Sequence, residues 1–126
     1  MSKENDLVVD DEEVIRDVCE QILTGEGYNV TTAASGKEAL YLVGENSFDA
    51  VVTDIMMPDM SGLELLEVIK STSMDISAVV ITGLGTFDMA TRSDRLGARE
   101  FVVKPFTPDE LSAAVRKAMG GRIHQG

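Results

Sequence analysis

The sequence predicts an α/β domain whose parallel sheet is covered by helices on both faces, and three observations predict it. Short apolar runs alternate with amphipathic segments of helical period from one end of the chain to the other. The runs lack the polar-every-second-residue pattern of a half-exposed strand, as two-sided burial demands. The length, 126 residues with 44% apolar, suits one domain with one continuous core.

Leu7-Val8-Val9 reads as a short buried first strand ending in acid. From Glu12 to about Thr24, Val14, Ile15, Val18, Ile22 and Leu23 recur at helical spacing, and Gly25 and Gly27 stop that helix. Tyr28 to Ala34 is the second strand, and Ser35-Gly36 opens a helix carrying Ala39, Leu40 and Val43. Phe48 to Thr53, with Ala50-Val51-Val52, is the third strand. Ser61 to Ile69 is the third helix, with Leu63, Leu66, Val68 and Ile69. Ile76 to Ile81 is the clearest strand, followed by a weak helix over Phe87 to Leu96 and a fifth strand at Phe101-Val102-Val103. Thr107-Pro108-Asp109-Glu110 supplies an N-cap hydroxyl, proline at N1 and acid behind it. That last helix buries Leu111, Ala114, Val115 and Ala118. Residues 1–119 form the expected domain, and 120–126, without core-forming pattern, the expected flexible tail.

Charge and composition exclude several functions. A formal charge of −11 repels phosphate backbones and anionic lipid, so neither nucleic acid nor membrane is an expected partner. The single cysteine, Cys19, rules out an intramolecular disulfide or a multi-cysteine metal site. Its neighbours Val14, Ile15, Val18 and Ile22 place it beside the buried stripe of the first helix. No stretch approaches the roughly 18 apolar residues that cross a bilayer. The first six residues lack the apolar core of a secretory signal, so a cytoplasmic location is expected.

The polar residues that break the strand pattern fall at one end of it. Asp10 and Asp11 follow the first strand, Asp54 the third, Thr82 the fourth and Lys104 the fifth. Open α/β sheets bind ligands at the carboxyl ends of their strands. In the flavodoxin-like order 2-1-3-4-5, these side chains can converge on one crevice. Singly, each has a plain structural use: an acidic pair caps a helix, an aspartate before a proline loop makes a turn, and a lysine before proline is solvated. Jointly they form a constellation. Gathered carboxylates repel one another, and a hard divalent cation such as Mg²⁺ relieves that repulsion. Lys104 adds a charge for a phosphoryl oxygen, Thr82 a hydroxyl donor and Asp54 a nucleophile, the parts phosphoryl transfer requires.

Four segments carry a family resemblance: Leu7-Val8-Val9-Asp10-Asp11-Glu12, Asp54 through Gly62, Val80-Ile81-Thr82-Gly83, and Gly97-Ala98 through Phe101-Val102-Val103-Lys104-Pro105-Phe106. Together they resemble the receiver domains of bacterial two-component response regulators over about residues 5–119. The resemblance implies that a sensor histidine kinase or phosphotransfer protein donates a phosphoryl group to Asp54. It implies Mg²⁺ held by Asp11, Asp54 and the Met56 backbone carbonyl, with Asp10 acting largely through water. Lys104, after a cis peptide to Pro105, pairs with Asp54 or its phosphoryl group. Thr82 moves to the phosphoryl oxygen, Phe101 turns inward behind it, and the face of helix 4, strand 5 and helix 5 changes. An output domain, a partner protein or a phosphorylation-dependent homodimer is compatible with that face.

Departures from the pattern also carry expectations. Thr91 to Arg95 make helix 4 polar, with Asp94 where the family commonly has an apolar residue, so a loosely packed helix is expected. Met56 and Leu84, flanking the acceptor, are apolar and are expected to shield the phosphoryl group from water. A haloacid-dehalogenase-like phosphatase also uses a strand-end aspartate and Mg²⁺, but needs a second acid two residues on, where this chain has Met56. A non-phosphorylated scaffold of the same fold is the other alternative, and such scaffolds normally lack one of the acids or the lysine.

Overall fold

Apolar runs with no polar face can satisfy their backbone only deep inside a sheet, and that is where this chain puts them. A computed structural model describes residues 3–72 and 75–123. Along the chain alternate β1 (Asn5–Val9), α1 (Glu13–Gly25), β2 (Asn29–Ala33), α2 (Gly36–Glu45), β3 (Ala50–Asp54), α3 (Gly62–Thr72), β4 (Ser77–Thr82), α4 (Phe87–Arg95), β5 (Ala98–Val103) and α5 (Pro108–Ile123). The strands pair in parallel in the order β2-β1-β3-β4-β5, the flavodoxin-like arrangement expected. Between β4 and β5 the register slips: Ala78 faces Ala98 but Val79 faces Glu100, which leaves Arg99 unopposed.

Alternation along the strands divides the core in two. Leu7, Val9, Val51 and Val80 pack with Leu63, Leu65, Leu66 and Ile69 of α3 and with Ala39 of α2. Val8, Val52, Val79 and Ile81 pack with Cys19 and Leu23 of α1 and with Leu111, Val115 and Ala118 of α5. Cys19 is buried, and burial pushes its thiol up to about 12, so it behaves as a small apolar residue.

The helix starts are capped from the sequence. Ser61 and Glu64 form a reciprocal capping box at 3.0 and 3.1 Å, and Thr107 and Glu110 form another at 2.8 and 3.1 Å. Gly27 and Gly97 take positive φ, 98° and 96°, where the chain turns out of α1 and α4.

Several expectations need correction. Val14 and Val18 do not belong to the buried stripe of α1; they are 70% and 39% exposed, because the helix turns Cys19 and Leu23 inward and leaves these two on its flank. In α3, Val68 is exposed and Leu65 is buried in its stead. Asp11 does not cap α1; the Glu12 N–H donates to Asp10 Oδ1 at 2.9 Å. Helix α4 is mostly exposed, in keeping with its polar run, and packs through one narrow side: Ser93 is buried, its hydroxyl donating to the Met89 carbonyl at 2.8 Å, which removes the cost of burying it. Helix α5 runs to Ile123, past the boundary placed after Met119; residues 124–126 of the expected tail lie outside the described residues. Among the described residues, no helix is long and apolar enough to cross a membrane.

Candidate functional site

β1 and β3 are neighbours, so their carboxyl ends bring Asp10 and Asp54 side by side, and β4 and β5 extend the same rim. Asp10 is fully buried and Asp54 nearly so, whereas Asp11 is exposed. One carboxylate oxygen from each of the three lies within 4.8 Å of the others. Asp54 Oδ1 accepts from its neighbour's amide, Ile55 N–H, at 2.8 Å.

Lys104 enters from the end of β5, its backbone N–H donating to the Thr82 carbonyl at 2.8 Å and its peptide to Pro105 cis. The ammonium stands 3.0 Å from Asp10 Oδ2, 3.4 Å from Asp54 Oδ2 and 3.5 Å from Glu12 Oε1. Burial works to lower its pKa, but the hydrogen bond and charge of Asp10, followed by those of Asp54, outweigh it, so Lys104 titrates above its ordinary value. Asp54 is raised by burial and then by the charge of Asp10, against the pull of Lys104 and the Ile55 amide.

These groups open onto a cleft of about 510 Å³, lined also by Gly83 and by the exposed side chains of Met56 and Leu84. Another cleft of about 530 Å³ lies at the opposite end of the sheet, lined by Glu45, Asp49 and Asp75 among others, with no basic side chain among the described residues that line it. Thr82 is fully buried at the end of β4, its hydroxyl accepting from Leu84 N–H at 3.0 Å. Phe101 pairs with Val80 in register and is half-buried against the core on the α3 side.

Three residues at this end had no role assigned from the sequence. Glu12 extends the acidic pair and reaches Lys104. Asp59, in the loop between β3 and α3, accepts from Gly36 N–H at 3.3 Å and Lys37 N–H at 3.0 Å, tying that loop to the start of α2. Gly62 lets α3 press on the end of β3: a Cβ there would lie 2.0 Å from the Asp54 carbonyl oxygen. All three lie within the family segments, which was the signal for them, but nothing local marks Asp59 as a cap for a distant helix.

The donor set is all oxygen, with three carboxylates against one ammonium. That excess of negative charge, on a partly open rim, fits a hard divalent cation that keeps some of its waters. A family model, the response regulator receiver domain, matches residues 7–116.

The chain belongs to that family.

This receiver domain is 42% identical over 120 residues to a probable transcriptional regulator, ycf27, of Guillardia theta, covering 94% of this chain and 46% of that protein. It is 41% identical over 105 residues to the response regulator SaeR of Staphylococcus aureus, covering 83% and 46%. The chain thus spans a little under half the length of these relatives. A CheY-like receiver domain from Methanospirillum hungatei superposes with a TM-score of 0.93 at 31% identity, covering 99% of this chain and 100% of that one. The response regulator TrrA of Thermotoga maritima, solved with Mg²⁺ and BeF, superposes with a TM-score of 0.83 at 37% identity, covering 91% and 98%. The receiver domain is a phosphoacceptor signalling domain of the two-component type.

Proposed function

We propose that Asp54 takes the phosphoryl group, from a phosphohistidine of a sensor histidine kinase or a phosphotransfer protein. The observation that supports this most is the Lys104 ammonium, shared between Asp10 and Asp54 beside a cleft that also contains Asp11. A carboxylate oxygen of Asp54 attacks phosphorus as the P–N bond breaks, and the bonding pair returns to the imidazole nitrogen. Asp10, Asp11, Asp54 and the Met56 backbone carbonyl are the groups that would hold Mg²⁺, which when bound neutralises charge on the phosphoryl oxygens. Lys104 then moves its contact from Asp54 to a phosphoryl oxygen while keeping Asp10.

Thr82 accepts from Leu84, which leaves its own O–H available to donate. On phosphorylation that hydroxyl turns to a phosphoryl oxygen, and Phe101 packs inward into the space Thr82 leaves. The face of α4, β5 and α5 shifts with them, to be read by an output domain, a partner protein or a second copy. Met56 and Leu84, standing over the cleft, shield the acyl phosphate from water.

Incubation with Mg²⁺ and acetyl phosphate, followed by intact-mass measurement, is expected to show a gain of one phosphoryl group that Asp54→Ala abolishes. An unchanged mass, with no response to beryllofluoride, would leave the scaffold reading in its place. Met56→Asn combined with Leu84→Glu is expected to speed dephosphorylation; an unchanged rate removes the shielding role.

A further inference from the structure

β1 is apolar from Leu7 to Val9, yet just ahead of that run it buries an aspartate. Side chains alternate across a sheet, so Asp6 shares the face of Val8, the face covered by α1 and α5. In register, Asp6 lies beside Ala50 of β3, and Ala50 beside Ser77 of β4. Ser77 shares the face of Val79, which belongs to the same core cluster as Ala50. Asp6, Ala50 and Ser77 therefore form a row across the amino ends of three adjacent strands. Both ends of the row are polar and buried, Asp6 at 0% and Ser77 at 2% exposure. Among the described residues, no group hydrogen-bonds either carboxylate oxygen of Asp6 or the hydroxyl of Ser77.

The charged neighbours do not compensate. Asp49, ahead of β3, turns its carboxylate to Asn5 N–H at 2.8 Å. Glu4 precedes β1 and adds a second negative charge, and Asp75 ahead of β4 is exposed. Tyr28, ahead of β2, faces the same group, its hydroxyl pushed up by burial and then by Asp6. On α5, Arg116 lies 3.3 Å from Glu26 at the end of α1, and Lys117 lies 4.0 Å from Glu100. An ionised carboxylate in such a place is far costlier than a neutral one.

We propose that Asp6 is a proton-binding site of the folded domain, held as the neutral acid beneath α1 and α5, and that its ionisation loosens this end of the sheet. Burial, reinforced by Asp49 and Glu4, carries Asp6 from the ordinary aspartate range up to about 7. In the window between, the folded chain holds a proton that the unfolded chain has released. Stability attributable to Asp6 therefore falls as pH rises towards neutrality and levels off above it. The site lies four residues along β1 from Asp10, about 13 Å at the rise of an extended strand, so it is separate from the phosphoacceptor cleft.

Urea unfolding of the full unphosphorylated chain, without divalent cation, tests this between about pH 5 and about pH 8. The wild-type folding constant is expected to contain a component falling by up to about tenfold per pH unit, absent from Asp6→Asn and Asp6→Val. Ser77→Ala, which removes no titrating group, is expected to keep it. Asp54 titrates in wild type and in every variant and cancels in the difference. Identical pH dependence in wild type and Asp6→Asn overturns the proposal. A ¹³C carboxyl titration of Asp6 in the wild-type protein needs no variant at all: a midpoint near neutrality is expected, and one in the ordinary aspartate range overturns the proposal as well.

Discussion

Lys104 is the cation on which the rim depends. It stands against Asp10, Asp54 and Glu12, and the first two have little contact with water. Removing it leaves two adjacent buried carboxylates to repel each other, at a cost of about 3 kcal/mol in Lys104→Met. Asp54→Asn should relieve about half of that loss, and a double-mutant cycle by urea unfolding reads the coupling. Equal losses in the two backgrounds would mean that Lys104 and Asp54 do not interact in solution. Asp59 illustrates the opposite sign. The Lys37 N–H, against a small desolvation penalty and aided by the Gly36 N–H, holds its carboxyl below the ordinary range. Its tie between the β3–α3 loop and α2 is therefore complete above that range and lost as pH falls through its folded pKa. Protection of the Gly36 and Lys37 amides, taken against the intrinsic exchange rate at each pH, is expected to fall at acid pH in the wild type and to be low at every pH in Asp59→Ala.

At the scale of elements, caps and close approaches set the angles at which helices meet the rim. Thr107→Ala removes one half of the box that starts α5 and is expected to cost about 1 kcal/mol. Gly62→Ala drives a methyl into the Asp54 carbonyl, so α3 must move away from β3; a loss of about 3 kcal/mol is expected, with slower phosphorylation by acetyl phosphate. The strands and their chemical ends were legible in the sequence, because an apolar run terminated by Asp, Thr or Lys is a local pattern. The inward side of α1 was less so. Val14 and Val18 match a helical period as well as Ile15 and Cys19 do, and only docking against β2 and α5 decides which pair is covered. Asp6 was illegible for a related reason: an acid at the start of a strand reads as solvated, and only register with Ala50 and Ser77 reveals it as buried. Helix α4 hid one detail of the same kind, since a serine that satisfies itself on its own helix can pack like an alanine.

For the molecule as a whole, the net charge of −11 opposes folding through self-repulsion, most strongly where Asp10, Asp11 and Asp54 converge. Raising monovalent salt is expected to raise the thermal midpoint, and a smaller response in Asp54→Asn would locate part of the effect at the rim. The slipped pairing between β4 and β5 acts on a different problem. A sheet that is not closed ends in two rows of unpaired peptide groups, and any extended chain can add to them. Here one such row belongs to β2, short and set with Asn29, Thr31 and Thr32, and the other to β5, kinked at Arg99. One border is short and polar and the other carries a bulge beside the charged Arg99 and Glu100, so neither offers a long apolar strand for a neighbour's backbone to extend.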